Sequence, residues 1–274
     1  MISTCTRRNL FGNLLRFAAC VPFVGAALPA LASPLEGDSA VRDVVLANHI
    51  LAAKDVVDGY GHVSLRCPGK PKQFLLARSM APELTTDSDI MTFDLDATPV
   101  GGDTRSVYVE RFIHSEIYRS RPDVQAVVHC HAPELIPFGV ADLPLRPLYH
   151  MSAFINAGVP LFEIRNFRAP SDKSMLIHNR ELGEALAHVL ADKPASLMRG
   201  HGAVVVASSL QEVVGRSVYL QVNANLQGKA MAMAQNVNYL QPGEGTEDTS
   251  VTHYGRDWAV WKHQVETTCC GGHK

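Results

Sequence analysis

Residues 127–133 read Val127-Val128-His129-Cys130-His131-Ala132-Pro133. In a strand alternate side chains leave on one face, so His129 and His131 point the same way. Two imidazoles at a strand end are a natural pair of metal ligands. Pro133 stops the strand and places the pair at a rim, where a pocket can open. Taken alone, the pair equally fits two hydrogen-bonded histidines on a buried strand face. Gly200-His201-Gly202 supplies a third imidazole at a turn between two apolar segments, where flanking glycines permit close approach to another element. By itself His201 reads as a solvent-facing turn residue. Glu110 opens a helix, where the helix N-terminus stabilises a carboxylate. Its other roles are fourth ligand in the resting site and general acid/base once substrate displaces it. His114, four residues on, shares its helical face as a supporting or core residue. Three histidines and a carboxylate from three segments make an open tetrahedral centre. Such a centre polarises a carbonyl and stabilises an enolate. Zinc is the expected divalent metal, with Mn, Co or Mg as alternatives, because selectivity in vivo is not set by affinity alone.

These residues need a scaffold. Apolar residues at helical spacing over 41–57 predict a helix ending near Gly59. Residues 62–65, 74–77 and 90–94 read as strands, the last running into the turn-rich 96–103. A helix is predicted over 110–119, stopped by Pro122, followed by a β-branched strand over 124–130. A strand over 161–164, a helix over 179–191, strands at 197–198 and 203–206 and a long helix over 210–235 complete the order. Strands interleaved with helices predict an α/β fold, a layered sheet covered by helices.

The chain has 274 residues, of which 46% are hydrophobic and 19% charged, enough for one sizeable α/β domain with a buried core. A net charge of −2, without a basic run or stripe, gives no electrostatic reason to expect nucleic acid. Thr6-Arg7-Arg8-Asn9-Leu10-Phe11, the uncharged apolar run 17–31 and Ala30-Leu31-Ala32 together predict a twin-arginine (Tat) signal peptide over 1–32. The alternatives are a membrane anchor, for which the run is short, and a lipoprotein at Cys20, past which the apolar run continues. Export by a route for folded proteins suits a chain that loads metal early, and predicts a periplasmic location with no membrane contact after signal removal. One domain is expected over 33–264, and a flexible tail over 265–274. Adjacent Cys269 and Cys270 can hardly bridge to each other without strain.

Taken together, the motifs resemble the class II aldolase/adducin family. The resemblance runs from about Val41 to Ala234. It is carried by Asp58-Gly59-Tyr60-Gly61-His62-Val63-Ser64, by Glu110 with His114-Ser115-Glu116-Ile117-Tyr118, by Arg121-Pro122-Asp123-Val124 leading into His129-Cys130-His131, and by Gly200-His201-Gly202. It implies a three-layer α/β/α fold with a central mixed sheet, commonly a homotetramer with sites at subunit interfaces. It also implies divalent metal at His129, His131 and His201, with Glu110 catalytic.

Departures from the sugar-phosphate members carry information too. Those members have an Asn in the first loop and Ser-Ser before the glutamate, where this chain has His62 and Val107-Tyr108-Val109. A bulky apolar stretch lacks the donors a phosphate dianion needs, so a phosphorylated sugar is not expected. Arg78, with Ser79 beside it, could hold a carboxylate by a two-pronged contact, with a plain surface arginine as the alternative. His62 joins them as a substrate-binding candidate. The tyrosine acid of the aldolase members falls near Tyr149-His150, with His150 the closer match and a second catalytic candidate. The pattern looks more like the decarboxylase branch, the hydroxy-carboxymuconate-semialdehyde and dihydroxyphthalate decarboxylases. The expected function is therefore a metal-dependent carbon–carbon lyase that decarboxylates a small, non-phosphorylated, oxygenated carboxylic acid. An aldolase acting on a non-phosphorylated hydroxy or keto acid is the alternative among enzymes, and a non-catalytic adducin-like association module the alternative of another kind.

Overall fold

Seven short strands pair in the order β3-β2-β1-β4-β7-β6-β5. They are β1 (His62–Arg66), β2 (Gln73–Ala77), β3 (Ile90–Asp94), β4 (Ala126–Cys130), β5 (Leu161–Phe162), β6 (Ala195–Met198) and β7 (Gly202–Ala207). Neighbours are antiparallel except β5 and β6, so the sheet is mixed. The coordinates are a computed structural model describing residues 34–141, 143–247 and 254–270.

Period-two alternation divides the strand residues between two apolar layers. Val63, Leu75, Val128, Cys130, Leu197 and Val205 face one way and pack with α1 (Pro34–Ala53), α5 (Leu210–Met233) and α6 (Tyr254–Cys270). Phe74, Leu76, Phe93, Val127, Val204 and Val206 face the other way, under α2 (Arg111–Ser120) and α4 (Arg180–Leu190). The result is the three-layer α/β/α fold, with the sheet buried on both faces. Side-chain caps start two of these helices: Asn179 accepts from the Leu182 N–H at α4, and Ser209 accepts from the Glu212 N–H at α5.

Several boundaries differ from expectation for local reasons. The helix expected over 41–57 is α1, ending at Ala53, because Asp55 adopts a positive φ of 56° that no helix continues. The strand expected over 161–164 is only two residues long. Beyond it the Glu163 carboxylate accepts the Arg165 N–H at 3.0 Å and turns the chain into a 3-10 turn, Ile164–Asn166. The tail expected from 265 is helical as far as Cys270. Trp258 and Trp261 are buried and Val265 packs against the same core, so this helix gains about 1.5–3 kcal/mol for each large side chain buried. The expected signal peptide and residues 271–274 lie outside the described residues. Among the described residues no helix is long and apolar enough to cross a membrane.

Candidate metal centre

β4 and β7 run antiparallel with Cys130 opposite Ala203, which brings the Gly200-His201-Gly202 turn to the end of β4. The approach is so close that a side-chain carbon on Gly202 would sit 1.9 Å from the Cys130 carbonyl oxygen, so only glycine fits. Gly200, at φ +62°, turns the chain into His201. β4 meanwhile sends His129 and His131 to one side and Cys130 to the other. Burial in the apolar layer pushes the Cys130 thiol up to about 11 and leaves it facing away from the histidines.

Glu110 occupies the position just before α2 but does not cap that helix. Its Oε1 accepts the Ile177 N–H at 2.9 Å, and its Oε2 lies 3.4 Å from both His129 Nε2 and His201 Nε2. His131 Nε2 is 3.1 Å from His129 Nε2 and 3.2 Å from His201 Nε2. All four donor atoms fall within 4.8 Å of one another. Donors held about 2.0–2.1 Å from one zinc ion at tetrahedral corners lie about 3.3–3.4 Å apart. The four separations of 3.1–3.4 Å match that spacing, so the cluster can hold a four-coordinate divalent ion.

Supporting contacts aim the ligand atoms. His129 Nδ1 donates to the Ala203 carbonyl at 3.1 Å, which leaves its Nε2 lone pair free. His131 Nδ1 donates to Asp58 Oδ1 at 3.2 Å, and that carboxylate is itself fixed by the Tyr60 and Gly61 N–H groups. Burial disfavours ionisation of Glu110, but the facing His129 and His201 rings outweigh it and hold the carboxyl below its usual range. Burial, then the His129 and His201 rings, keeps His131 neutral by lowering its pKa, as a metal ligand requires. Asp58 is a site residue that the sequence reading used only as a family marker. Its signal was an acid placed directly before a tight Gly-Tyr-Gly loop.

The other candidates divide. His62 stands opposite His129 in the β1–β4 register, with ring centroids 5.2 Å apart, and packs on Tyr108 at 4.4 Å. Tyr108, from the apolar stretch before Glu110, is buried and donates to the Met80 carbonyl. Arg78 follows β2 directly, and continuing the Ser64–Leu76 register by two residues sets it opposite His62. Arg78 thus leaves β2 at the end of the sheet where His62 begins β1 and His129 nears the end of β4. Asp89 Oδ1 accepts Arg78 Nε at 2.7 Å, and among the described residues the two Nη groups bond to no protein atom. Ser79 is exposed and gives its backbone N–H to the Ser106 carbonyl. His150, itself exposed, begins a 3-10 turn, His150–Ile155, and does not belong to the four-donor cluster. The structure does not bring it to Glu110 within the chain.

A mixed α/β/α sheet carrying three imidazoles and a carboxylate at one strand end defines a metal-dependent lyase. The chain belongs to the class II aldolase/adducin family: it matches the Class II Aldolase and Adducin N-terminal domain over residues 42–227. It is 36% identical to the decarboxylase tropJ of Talaromyces stipitatus over 83% of this chain and 94% of that protein. It is 29% identical to the 3,4-dihydroxyphthalate decarboxylase of Arthrobacter keyseri over 85% of this chain and 95% of that protein. Among solved structures, the L-fuculose 1-phosphate aldolase of Glaciozyma antarctica PI12 shares the fold at a TM-score of 0.72 and 20% identity, covering 90% of this chain and 96% of that one.

Proposed function

We propose that this lyase decarboxylates a small, non-phosphorylated aromatic acid bearing a hydroxyl beside the departing carboxylate, and that its ion is zinc. The cluster of Glu110, His129, His131 and His201 carries the reading. Its relatives of nearly equal length, decarboxylases by name, give the direction of the chemistry. Three imidazoles with one carboxylate favour zinc over magnesium, which prefers oxygen ligands.

A divalent ion in this cluster supplies positive charge that takes up the negative charge developing on a substrate oxygen as the carbon–carbon bond breaks. The residues do the rest. Arg78, its Nε pinned by Asp89, offers its free Nη pair to a carboxylate that stays on the ring. Glu110, ionised in the resting cluster, takes the hydroxyl proton as substrate enters. Glu110 returns that proton to the ring carbon that bears the departing carboxylate, and the neighbouring oxygen becomes a carbonyl. Loss of carbon dioxide then gives its bonding pair back to the ring and negative charge to that oxygen, which water reprotonates on release.

The test is purified protein assayed for bound metal and for carbon dioxide release from 3,4-dihydroxyphthalate and a panel of hydroxy-aromatic acids. One zinc per chain and release of carbon dioxide are expected, both lost in His129→Ala. Arg78→Lys should raise KM more than it lowers kcat, because a lysine cannot form the two-pronged contact. Metal well below one per chain with activity unchanged in His129→Ala would sink the reading. Aldehyde as the sole product would move it to aldol cleavage.

Two further properties belong to the same reading. Exposed Leu143 and Met231 line, with Phe138 and Ala224, a groove of about 440 Å³, which supports self-association as a homotetramer. The twin arginine and apolar run of residues 1–32 support Tat export to the periplasm.

A further inference from the structure

Between α2 and β1 runs a polar seam that the metal chemistry leaves unused. α2 carries His114 and Tyr118 four residues apart on the helix face that begins with Glu110. β1 carries His62 and Ser64 two residues apart on one strand face. The two sets interlock. Tyr118 OH lies 2.8 Å from Ser64 Oγ, Ser64 Oγ 2.6 Å from His114 Nδ1, and His114 Nε2 2.7 Å from His62 Nδ1. None of the four side chains is more than 1% exposed. Apolar side chains could fill this space without desolvating polar groups, so the arrangement points to a function for the order of its hydrogens.

Heavy-atom distances fix that order. Tyr118 has two available acceptors, Ser64 Oγ at 2.8 Å and the Gln125 carbonyl at 3.4 Å. The second exceeds the usual O–H···O range of about 2.5–3.0 Å. That carbonyl also already accepts the Arg66 N–H at 2.8 Å. Tyr118 therefore donates to Ser64, and Ser64 passes its own hydrogen to His114 Nδ1. A neutral imidazole that accepts at Nδ1 carries its hydrogen on Nε2. His114 gives that hydrogen to His62 Nδ1, so His62 in turn carries its hydrogen on Nε2.

We propose that the Tyr118–Ser64–His114 chain holds His62 as an Nε2–H donor beside the metal centre, where it donates to an anionic oxygen of the substrate. His114 is the positioning residue. The role as donor to substrate rests on the decarboxylase reading above; the placement of the hydrogens does not. The polarity matters because His62 neighbours His129 directly. With a bare Nε2, His62 would offer a fifth lone pair to the ion and repel an incoming carboxylate or phenolate. With its hydrogen there, it cannot ligate and it attracts the anion.

A neutron structure of the deuterium-exchanged, zinc-loaded protein tests the polarity directly. Deuterium is expected on His62 Nε2, on His114 Nε2 and on Ser64 Oγ toward His114; deuterium on His62 Nδ1 with a bare Nε2 overturns the proposal. Calorimetric binding of 3,4-dihydroxyphthalate to zinc-loaded variants tests the donor. His62→Phe should weaken binding about tenfold or more, the worth of one hydrogen bond to a charged group. His62→Gln, whose amide nitrogen lies near the place of Nε2, should recover most of that loss. Ser64→Ala, which leaves His62 in place, should fall between them. Equal losses in the Phe and Gln variants at unchanged zinc content overturn the donor role, and an unaffected Ser64→Ala overturns the positioning role. Should wild-type protein bind none of this probe, the decarboxylase reading fails while the deuterium positions still decide the polarity.

Discussion

Of the three imidazoles, His131 is the most open to solvent, with 20% of its side chain exposed, and among the described residues the only one whose Nδ1 meets a carboxylate. Asp58 does this from a loop, bonded at once to two backbone N–H groups and to His131 Nδ1. A partner of this kind raises ligand basicity and fixes ring orientation, and its loss commonly weakens metal affinity about 10–100-fold. Asp58→Asn keeps the oxygen and removes the charge. The expected result is a fall of about tenfold in zinc affinity by chelator competition, with thermal unfolding little changed. The ligands themselves were legible because their spacing carries the chemistry: His-x-His on a strand and His between glycines. Asp58, Tyr108 and Ile177 were not, since what makes them part of the site is a contact across the fold. Arg78 lies between these cases. Its charge and its place after a strand were visible, whereas its fixation by Asp89 depends on the β2–β3 pairing.

At the scale of elements, β1, β2, β3 and β4 were readable because short β-branched and aromatic runs ended in turn residues. α6 carries the helical period in Tyr254, Trp258, Trp261 and Val265, at steps of four, three and four residues. What makes it a helix is its landing on α1 and α5, which local sequence does not announce. Where α2 meets β1, burial first, with a smaller contribution from His129, lowers the pKa of His114 to about 3 from its ordinary 6.5. In the unfolded chain this ring takes up a proton near 6.5; in the folded chain it stays neutral until far lower pH. The unfolded state thus binds more protons between these values, and stability drops as pH falls from about 6.5 toward 3. In chelator, wild-type protein should lose stability to denaturant more steeply from pH 7 to pH 5 than His114→Gln does. Equal slopes would remove His114 from the acid response, whatever the offset between the two proteins.

For the whole molecule, the apolar groove between α3 (Ile136–Val140) and α5 is the surface that a lone protomer would leave wet. Light scattering is expected to give four times the chain mass, and Met231→Glu to shift it toward smaller species without loss of helical signal. A monomer in the wild type would refute self-association. Expressed with its full N-terminus in a cell with an intact twin-arginine pathway, the mature protein is expected to begin at Ser33. Retention of Met1 on the purified chain would refute export.

The close approach of Gly202 to the Cys130 carbonyl has a thermodynamic consequence. Imidazoles separated by up to 72 positions, His129 to His201, are already clamped by the β4–β7 ladder, so an arriving ion closes no new loop between them and orders no chain. Coordination energy goes into holding the ion and not into building its cage, the reverse of a zinc finger, where binding and folding are one event. Stripping the ion with a chelator should therefore silence the enzyme yet leave its circular dichroism intact, and adding zinc back should restore activity with no refolding phase.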